Sequence, residues 1–333
     1  MSGIHLVEAI TCIALAFDFV NGFHDAANSV ATVVATRVLT PVRAVAMAAV
    51  FNFIAAYFLG TGVAATVGEG FVDIRIVTPY VLLAGLLGAI IWNVMTWYVG
   101  LPISSSHALI GGYAGAALAK AGLRGLIVGK WPSTVAFIVL APIIGLVLGY
   151  LFMVAVYWIF QRYSPARLDR FFRHAQILSA ALLSCAHGTN DAQKTMGIIT
   201  AVLVAGGFQR GFHVPGWVIF ASACAMGLGT LSGGWRVVRT MGMRLTRLRP
   251  RSGFCAETGA GLSILFATWL KLPVSTTHVV AGAIAGVGSI QRVRAVRWSL
   301  AGDIVTAWLL TIPAAALVSA AAFVIIRLFV PAA

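Results

Sequence analysis

The chain has 333 residues, of which 60% are hydrophobic and 10% are charged, and its formal net charge is +14. A soluble domain is about 45–50% apolar and about 25% charged, so a soluble globular protein, a disordered chain and a coiled coil are all excluded. The basic residues stand in short clusters between apolar runs, as expected for a membrane protein and not for a nucleic-acid-binding protein. The composition predicts an all-α, polytopic membrane protein whose partner is the lipid bilayer, with no nucleic acid.

A membrane-spanning helix needs about 20 predominantly apolar residues. In chain order, the sequence predicts uninterrupted spans over residues 44–66, 80–99, 132–159, 215–235 and 299–330. Four other apolar segments are interrupted by polar residues or led by proline, and we predict broken or re-entrant helices there: 4–36, 101–119, 175–205 and 272–290. Non-helical backbone at membrane depth is tolerated only where it faces protein or a water-filled cavity. These segments therefore predict a polar centre.

Two segments of the first half recur in the second half. Residues 21–28 read NGFHDAAN and residues 187–194 read HGTNDAQK, at an offset of 166. Residues 101–107 read LPISSSH and residues 272–278 read LPVSTTH, at an offset of 171. Two matched pairs in the same order predict an internal duplication. We therefore divide the chain into a membrane repeat over 1–160, a basic cytoplasmic linker over 161–174 and a second membrane repeat over 175–333.

The distribution of Lys and Arg predicts the orientation in the membrane. With residues 161–174 in the cytoplasm, 15 of these residues fall inside and 6 outside, as the positive-inside rule requires. The first repeat then makes five crossings, an odd number, so the second repeat is inverted relative to the first. Inverted repeats with discontinuous helices are typical of secondary transporters, whose substrate site lies near the mid-membrane between the repeats.

Polar residues inside the predicted spans follow one spacing twice, as Asn21, Asp25 and Asn28 and as His187, Asp191 and Lys194. Positions i, i+4 and i+7 share one helical face. An ionised group at a helix centre costs about 2.5–3.5 kcal/mol, so we favour a shared functional site over purely structural ion pairs. The residues predicted to couple cations or protons to transport are Asp25, Asn28, Asn190, Asp191 and Glu257.

Three hydroxyl residues follow each Leu-Pro pair. Proline suits the first turn of a helix, and the amides after it lack intrahelical acceptors, so amides, hydroxyls and helix dipole together suit an oxyanion. The structural alternative is a capped helix end whose hydroxyls bond their own backbone. The substrate-binding candidates are Ser104, Ser105, Ser106, Ser275, Thr276 and Thr277, joined by Asn21, Gln193 and Lys194. Four histidines either orient hydroxyls or handle protons: His24, His107, His187 and His278. No dedicated metal site is predicted.

The predicted charges restrict what the site can bind. Asp25, Asp191 and Glu257 bring three negative charges, and Lys194 brings one positive charge. A divalent oxyanion would lower the sum to −4, which is untenable at low dielectric constant. An anion therefore binds such a site only together with cations or protons.

These segments resemble the Pit family of inorganic phosphate transporters. The matching pieces are residues 21–40, 91–93 with 101–112, 186–197, and 253–257 with 272–282. The resemblance implies a dimeric carrier with inverted repeats that moves phosphate together with a coupling cation. It also implies essential roles for five residues of this chain: Asp25, Asp191, Ser104, Ser275 and Glu257.

Two positions depart from the sodium-coupled members of that family, because Lys194 replaces an asparagine and Asn52 replaces a glutamate. Both differences remove a cation ligand. The chain is thus more similar to the bacterial, low-affinity, proton-coupled branch, whose substrate is a divalent metal–phosphate complex. This likeness implies import of phosphate by symport with protons, in the inner (plasma) membrane, by a homodimer. A divalent metal accompanies the phosphate, and no cofactor is expected.

Other functions remain open at this point. A sodium-coupled phosphate symporter and a sulfate permease of the same family fit the same segments, and a passive channel is a further alternative. Ser, His and Asp inside a membrane also raise the possibility of an intramembrane hydrolase. The sequence contains no GxSxG motif, and two equivalent hydroxyl triplets do not provide the single nucleophile that a hydrolase needs. We therefore predict that the protein is not an enzyme.

Overall fold

The computed structural model describes residues 3–331, and within this range the chain is helical apart from turns and one isolated β-bridge between Val72 and Leu126. The helices of the first half are α1 (Gly3–Ala35), α2 (Pro41–Phe58), α3 (Gly62–Gly70), α4 (Pro79–Val99), α5 (Ser105–Ala121) and α6 (Trp131–Ile159). Those of the second half are α7 (Pro165–Ala205), α8 (Gly216–Ser232), α9 (Trp235–Arg239, extended by a π-helical turn Thr240–Arg244), α10 (Pro250–Trp269), α11 (Thr276–Gln291) and α12 (Trp298–Phe329). The predicted all-α class is confirmed.

The six helices of each half follow the same order and pack across the two halves in a reciprocal way. Gly111 of α5 lies directly against the backbone of Ile312 in α12, and Gly282 of α11 lies directly against the backbone of Pro142 in α6. A Cβ atom at either glycine would collide with that backbone. The fifth helix of each half thus packs on the last helix of the other half. This exchange is the arrangement expected of two inverted repeats.

Helices α1 and α7 are continuous, so the breaks predicted within 4–36 and 175–205 are wrong. Their polar side chains lie on one face at one-turn intervals, and several of them contact polar groups of neighbouring helices while the backbone stays helical. Helix α7 begins at Pro165 and therefore includes most of the predicted linker 161–174. The repeat boundaries at 1–160 and 175–333 stay a prediction.

Two segments predicted as uninterrupted are broken. The segment 44–66 is divided into α2 and α3, and the segment 215–235 ends in a bend of 59° between α8 and α9. At the second break, Gly233 has φ +66°, a conformation that glycine adopts at no steric cost. Gly234 lies against the carbonyl oxygen of Phe23. The backbone of α8–α9 therefore bends where it meets the middle of α1.

Helices α4 and α5 form a hairpin, which we call the first hairpin. Lys120 Nζ donates to Thr78 Oγ1 at 3.1 Å, so the end of α5 lies beside the beginning of α4. Helix α5 has 17 residues and measures about 25 Å at 1.5 Å per residue, which is less than the hydrocarbon core of about 30 Å. Helices α10 and α11, with 16 residues in α11, form the second hairpin. The predicted re-entrant segments 101–119 and 272–290 are confirmed.

The hairpins change the number of crossings. Within the described residues, α1, α2, α4, α6 and α12 are long and apolar enough to span a membrane, and the bent pair α8–α9 adds a sixth candidate. Because α5 returns to the side on which α4 begins, the first hairpin adds no net crossing, and the first repeat changes sides three times instead of the predicted five. Three is also odd, so the inversion of the second repeat is retained.

Candidate functional site

The tips of the two hairpins meet α1 and α7 in the interior of the molecule. Each tip is an extended Leu-Pro segment that ends in a serine at the helix N-cap. The Ser104 hydroxyl accepts the backbone N–H of His107 at 3.2 Å, and the Ser275 hydroxyl accepts that of His278 at 3.3 Å. The hydroxyl oxygens of Ser104 and Ser275 therefore act as helix caps, which is the structural alternative given above. A direct phosphate contact by Ser104 and Ser275 stays a prediction.

Asp25 of α1 is buried and contacts both hairpins. Its Oδ1 lies 2.7 Å from His24 Nδ1 and accepts from Ser105 Oγ of the first hairpin at 3.2 Å. Its Oδ2 accepts from Thr277 Oγ1 of the second hairpin at 3.5 Å. One carboxylate of the first repeat is thus contacted by hydroxyl groups of both repeats.

The hydroxyls of the second hairpin connect α1 to α7. Asn28 Nδ2 donates to Thr276 Oγ1 at 3.2 Å and to Thr277 Oγ1 at 2.9 Å. Thr276 Oγ1 donates in turn to Asp191 Oδ2 at 3.2 Å. Asn28, Thr276 and Thr277 therefore belong to one network with Asp25 and Asp191.

Lys194 of α7 reaches both hairpins from inside the molecule. Its ammonium lies 2.5 Å from Asp191 Oδ1 and donates to the carbonyl oxygen of Val274 at 3.0 Å. It also donates to Ser106 Oγ. The residue is 1% exposed, which excludes a side chain that extends to the membrane surface. Lys194 therefore provides a fixed positive charge between the hairpins.

His187 completes the polar face of α7. Its Nε2 lies 3.4 Å from Asp191 Oδ2, and its Nδ1 lies 3.4 Å from Asn52 Oδ1. Asn52 Nδ2 donates to Thr230 Oγ1 at 2.8 Å. The amide at position 52 thus links α2 to α7 and α8 where a glutamate would bring a further negative charge.

Three of these residues form a set that could hold a metal ion. Asp25, His187 and Asp191 each offer one ligand atom, and these atoms lie within 4.8 Å of one another. Carboxylate oxygen and imidazole nitrogen suit divalent metals such as Mn²⁺ and Zn²⁺. The sequence analysis predicted no dedicated metal site. Only the fold brings Asp25, more than 160 positions away, to the His187–Asp191 pair on α7.

Two predicted residues face other elements. Gln193 Oε1 accepts the backbone N–H of Val63 at 2.6 Å, in the first turn of α3, so this geometry does not support its predicted contact with substrate. Asn190 Nδ2 donates to Thr268 Oγ1 at 2.8 Å and to the carbonyl oxygen of Leu272 at 3.2 Å. Asn190 therefore holds the second hairpin instead of facing the carboxylates.

Glu257 of α10 lies in a separate polar cluster. Its Oε1 accepts from Thr32 Oγ1 at 2.5 Å and from Gln176 Nε2 at 2.9 Å, and its Oε2 accepts from Ser179 Oγ at 2.5 Å. Thr32 lies seven residues beyond Asp25 on α1, about 10 Å along the helix axis. The predicted single site with a net charge of −2 is therefore wrong. Asp25, Asp191 and Lys194 alone carry −1.

His107 and His278 lie one turn beyond the caps, where the two hairpins touch. Their ring centroids are 4.9 Å apart, and the ring of His278 stacks on Trp308 of α12 at 3.9 Å. These contacts favour a packing role for the pair. Proton handling by His24, His107, His187 and His278 stays a prediction.

Two hairpins that meet at a buried polar centre, between two helical halves with the same order of elements, are the architecture expected of a membrane transporter. A sequence model described as the phosphate transporter family matches residues 21–168 and 160–319. The chain belongs to this family, the Pit family, and it is a phosphate transporter and not an enzyme.

Several similar proteins cover nearly the whole chain. A protein of Rhizobium meliloti (strain 1021), named "Probable low-affinity inorganic phosphate transporter", is 54% identical over 95% of this chain and 95% of its own length. A protein of Bacillus subtilis (strain 168) with the same name is 45% identical over 97% and 98%. A solved structure described as "The sodium-dependent phosphate transporter" matches with a TM-score of 0.91, over 97% of this chain and 99% of that chain, at 24% identity. At that identity the likeness shows the fold alone.

Proposed function

We propose that this protein imports inorganic phosphate across the bacterial inner membrane by symport with protons, and that phosphate travels as a neutral complex with a divalent metal. The buried contacts of Lys194 carry the proposal. An ammonium group offers no oxygen to sodium, and here it contacts Asp191 directly. The relatives named as low-affinity inorganic phosphate transporters, at 54% and 45% identity, support inorganic phosphate as the substrate. We also propose a homodimer, on the resemblance to the family alone.

The charge balance supports both a metal and a proton. Asp25, Asp191 and Lys194 carry −1 together, and a phosphate dianion lowers the sum to −3. A divalent metal ion raises the sum to −1, and one proton brings it to zero. Because isolated charge is costly at low dielectric constant, this combination, whose own net charge is +1, neutralises the three charged groups of the site.

The residues divide into two proposed roles. The amides and hydroxyls at the N-termini of α5 and α11, together with Lys194, would hold the phosphate, because free N–H groups and the helix dipole favour an anion. Asp25, His187 and Asp191 would hold the metal. Hydroxyls that now donate to Asp25 and Asp191 become free to donate to phosphate once a cation compensates the carboxylates. Asn28 and Asn190 position the second hairpin. Glu257, in its separate polar cluster, is a further candidate for proton coupling.

The hairpins suggest how access alternates. They enter from opposite sides, and their tips both cover the polar centre. Withdrawal of one tip would open the centre to one side of the membrane, while the other tip keeps the opposite side closed. The reciprocal contacts of α5 with α12 and of α11 with α6 hold the two hairpins in corresponding positions, so the two open states would have similar construction.

Uptake of labelled phosphate into proteoliposomes tests the proposal. We expect accumulation that follows an imposed pH gradient, requires a divalent metal, and is unchanged when sodium is replaced by choline. Excess unlabelled phosphate should compete, and excess sulfate should not. A requirement for sodium, or equal competition by sulfate, would overturn the proposal in favour of a sodium symporter or a sulfate permease.

A further inference from the structure

Asp18 of α1 is a buried carboxylate outside the network described above. It is 0% exposed, and neither of its oxygens has a hydrogen-bond partner among residues 3–331. Thr195 and Asn21 lie beside it, and the Thr195 hydroxyl and the Asn21 carbonyl oxygen also lack partners within that range. In this buried group the carboxylate, hydroxyl and carbonyl oxygens make no well-formed hydrogen bond, although Thr195 and Asn21 each carry a donor close to Asp18. Buried polar atoms in native proteins nearly always have partners, so this cluster points to a ligand.

Asp18 lies on the outer side of the ion pair. It precedes Asp25 by seven residues, about 10 Å along α1, towards the end that the arginine distribution assigns to the outside. The charged groups close enough to act on it are Asp191 and Lys194 of α7. Helices α4 and α8, which also pack on α1, contain no acidic, basic or histidine side chain. Asp18 therefore lies between the outer surface and the proposed substrate site.

A proton satisfies this cluster better than a metal ion does. An ionised carboxylate without well-formed hydrogen bonds is expensive to bury, whereas a protonated one gains an O–H that can donate to the Thr195 hydroxyl or to the carbonyl oxygen of Asn21. A sodium ion would also be attracted to these oxygens, but it would lie near the ammonium of Lys194. That ammonium already has Asp191 as its counter-ion.

We propose that Asp18 is the residue that carries the transported proton, an inference that rests on the proposed proton symport. A proton from the outer solution binds one carboxylate oxygen of Asp18 and leaves that oxygen for the inner solution after the site has turned inwards. The matched position of the second repeat is Ser184, whose Oγ donates to the carbonyl oxygen of Ala180 at 2.8 Å. Only one repeat has the carboxyl group, so one proton is carried per cycle at this position.

The test compares two kinds of phosphate movement in proteoliposomes. Accumulation driven by a pH gradient requires net proton transfer, whereas exchange of labelled for unlabelled phosphate at equal pH does not. We expect wild-type protein to accumulate phosphate about tenfold per pH unit for one proton, since one unit equals about 1.4 kcal/mol. Asp18→Asn should lose this accumulation and keep exchange within about twofold of the wild type. Asp18→Glu should retain driven accumulation, and Ser184→Ala is the matched control with unchanged coupling.

Each outcome has a distinct meaning. If wild-type accumulation ignores the pH gradient, the proposed proton symport fails. If the wild type responds and Asp18→Asn responds equally, the symport stands and the role of Asp18 is refuted. Loss of both exchange and accumulation in Asp18→Asn, or loss of coupling in Asp18→Glu, would assign Asp18 to structure or substrate binding and overturn the inference. If a sodium gradient drove uptake by the wild type and by the other variants, and only Asp18→Asn lost this response, Asp18 would belong to a sodium site instead.

Discussion

Replacement of Lys194 by Met tests the ion pair at the centre of the molecule. The change removes one charge and keeps an unbranched side chain of similar length. Lys194 Nζ lies 2.5 Å from Asp191 Oδ1 and 3.0 Å from the carbonyl oxygen of Val274, in a residue that is 1% exposed. Removal of one partner from a buried pair costs about 3–5 kcal/mol, because the remaining charge is uncompensated. We expect the free energy of unfolding of Lys194→Met to fall by about this amount.

A double-mutant cycle measures this pair directly. Denaturant unfolding in detergent micelles, followed by tryptophan fluorescence, would be recorded for Lys194→Met, Asp191→Asn and the double variant. Since the double variant removes both charges of this pair, it should recover most of the loss of the single Lys194 variant. The control is Lys271→Met, at an exposed lysine, which should change stability by less than about 0.5 kcal/mol. Phosphate uptake should be lost in Lys194→Met and should not recover in the double variant.

Two results would refute the reasoning. A loss of stability below about 1 kcal/mol in Lys194→Met would mean that the lysine is not the counter-charge of Asp191. A double variant that is no more stable than Lys194→Met would mean that the two charges do not interact across the 2.5 Å contact.

Three further predictions concern the carboxylates, the caps and the helix contacts. Asp25→Asn and Asp191→Asn should each abolish driven phosphate uptake while folding and membrane insertion persist. Uptake assays and gel filtration check these outcomes. Near-normal uptake in both variants would contradict the role of the two carboxylates in coupling. Ser104→Ala and Ser275→Ala should each cost about 1 kcal/mol of stability through the lost cap, and unequal losses would contradict the symmetry of the hairpins. Gly282→Leu should disrupt the packing of α11 on α6 and lower the yield of monodisperse protein, unlike a leucine at exposed Gly302, which has open space around it.

The sequence predicted the re-entrant segments 101–119 and 272–290 because their signals are local. A proline, a run of hydroxyl residues and a glycine-rich stretch lie within each segment, and the duplication made each a check on the other. The pairing of α5 with α4 in a hairpin was missed, because residues 80–99 are predominantly apolar. The breaks at α2–α3 and α8–α9 were missed because the flanking residues are apolar on both sides. A hydropathy average does not register a bend in the backbone.

The arrangement of the site was only partly predictable, since its partners are distant in sequence. Asp25 meets Thr277, 252 positions away, and Glu257 meets Thr32, 225 positions away. Spacing along α1 and α7 placed the carboxylates on one face, but it could not show that Glu257 belongs to a different cluster. The continuity of α1 and α7 was missed for the same reason, because hydropathy counts polar residues without their partners.

The reciprocal packing of the repeats bears on how the protein is made. Gly111 of α5 contacts Ile312 of α12, and the Trp308 indole N–H donates to the carbonyl oxygen of Pro102 at 2.9 Å. The first hairpin is therefore synthesised about 200 residues before the helix on which it rests. Until α12 emerges from the ribosome, the glycine face and the extended tip of the first hairpin lack their native neighbours. Neither half contains its own complete interior, so the first half must wait in the membrane for the second.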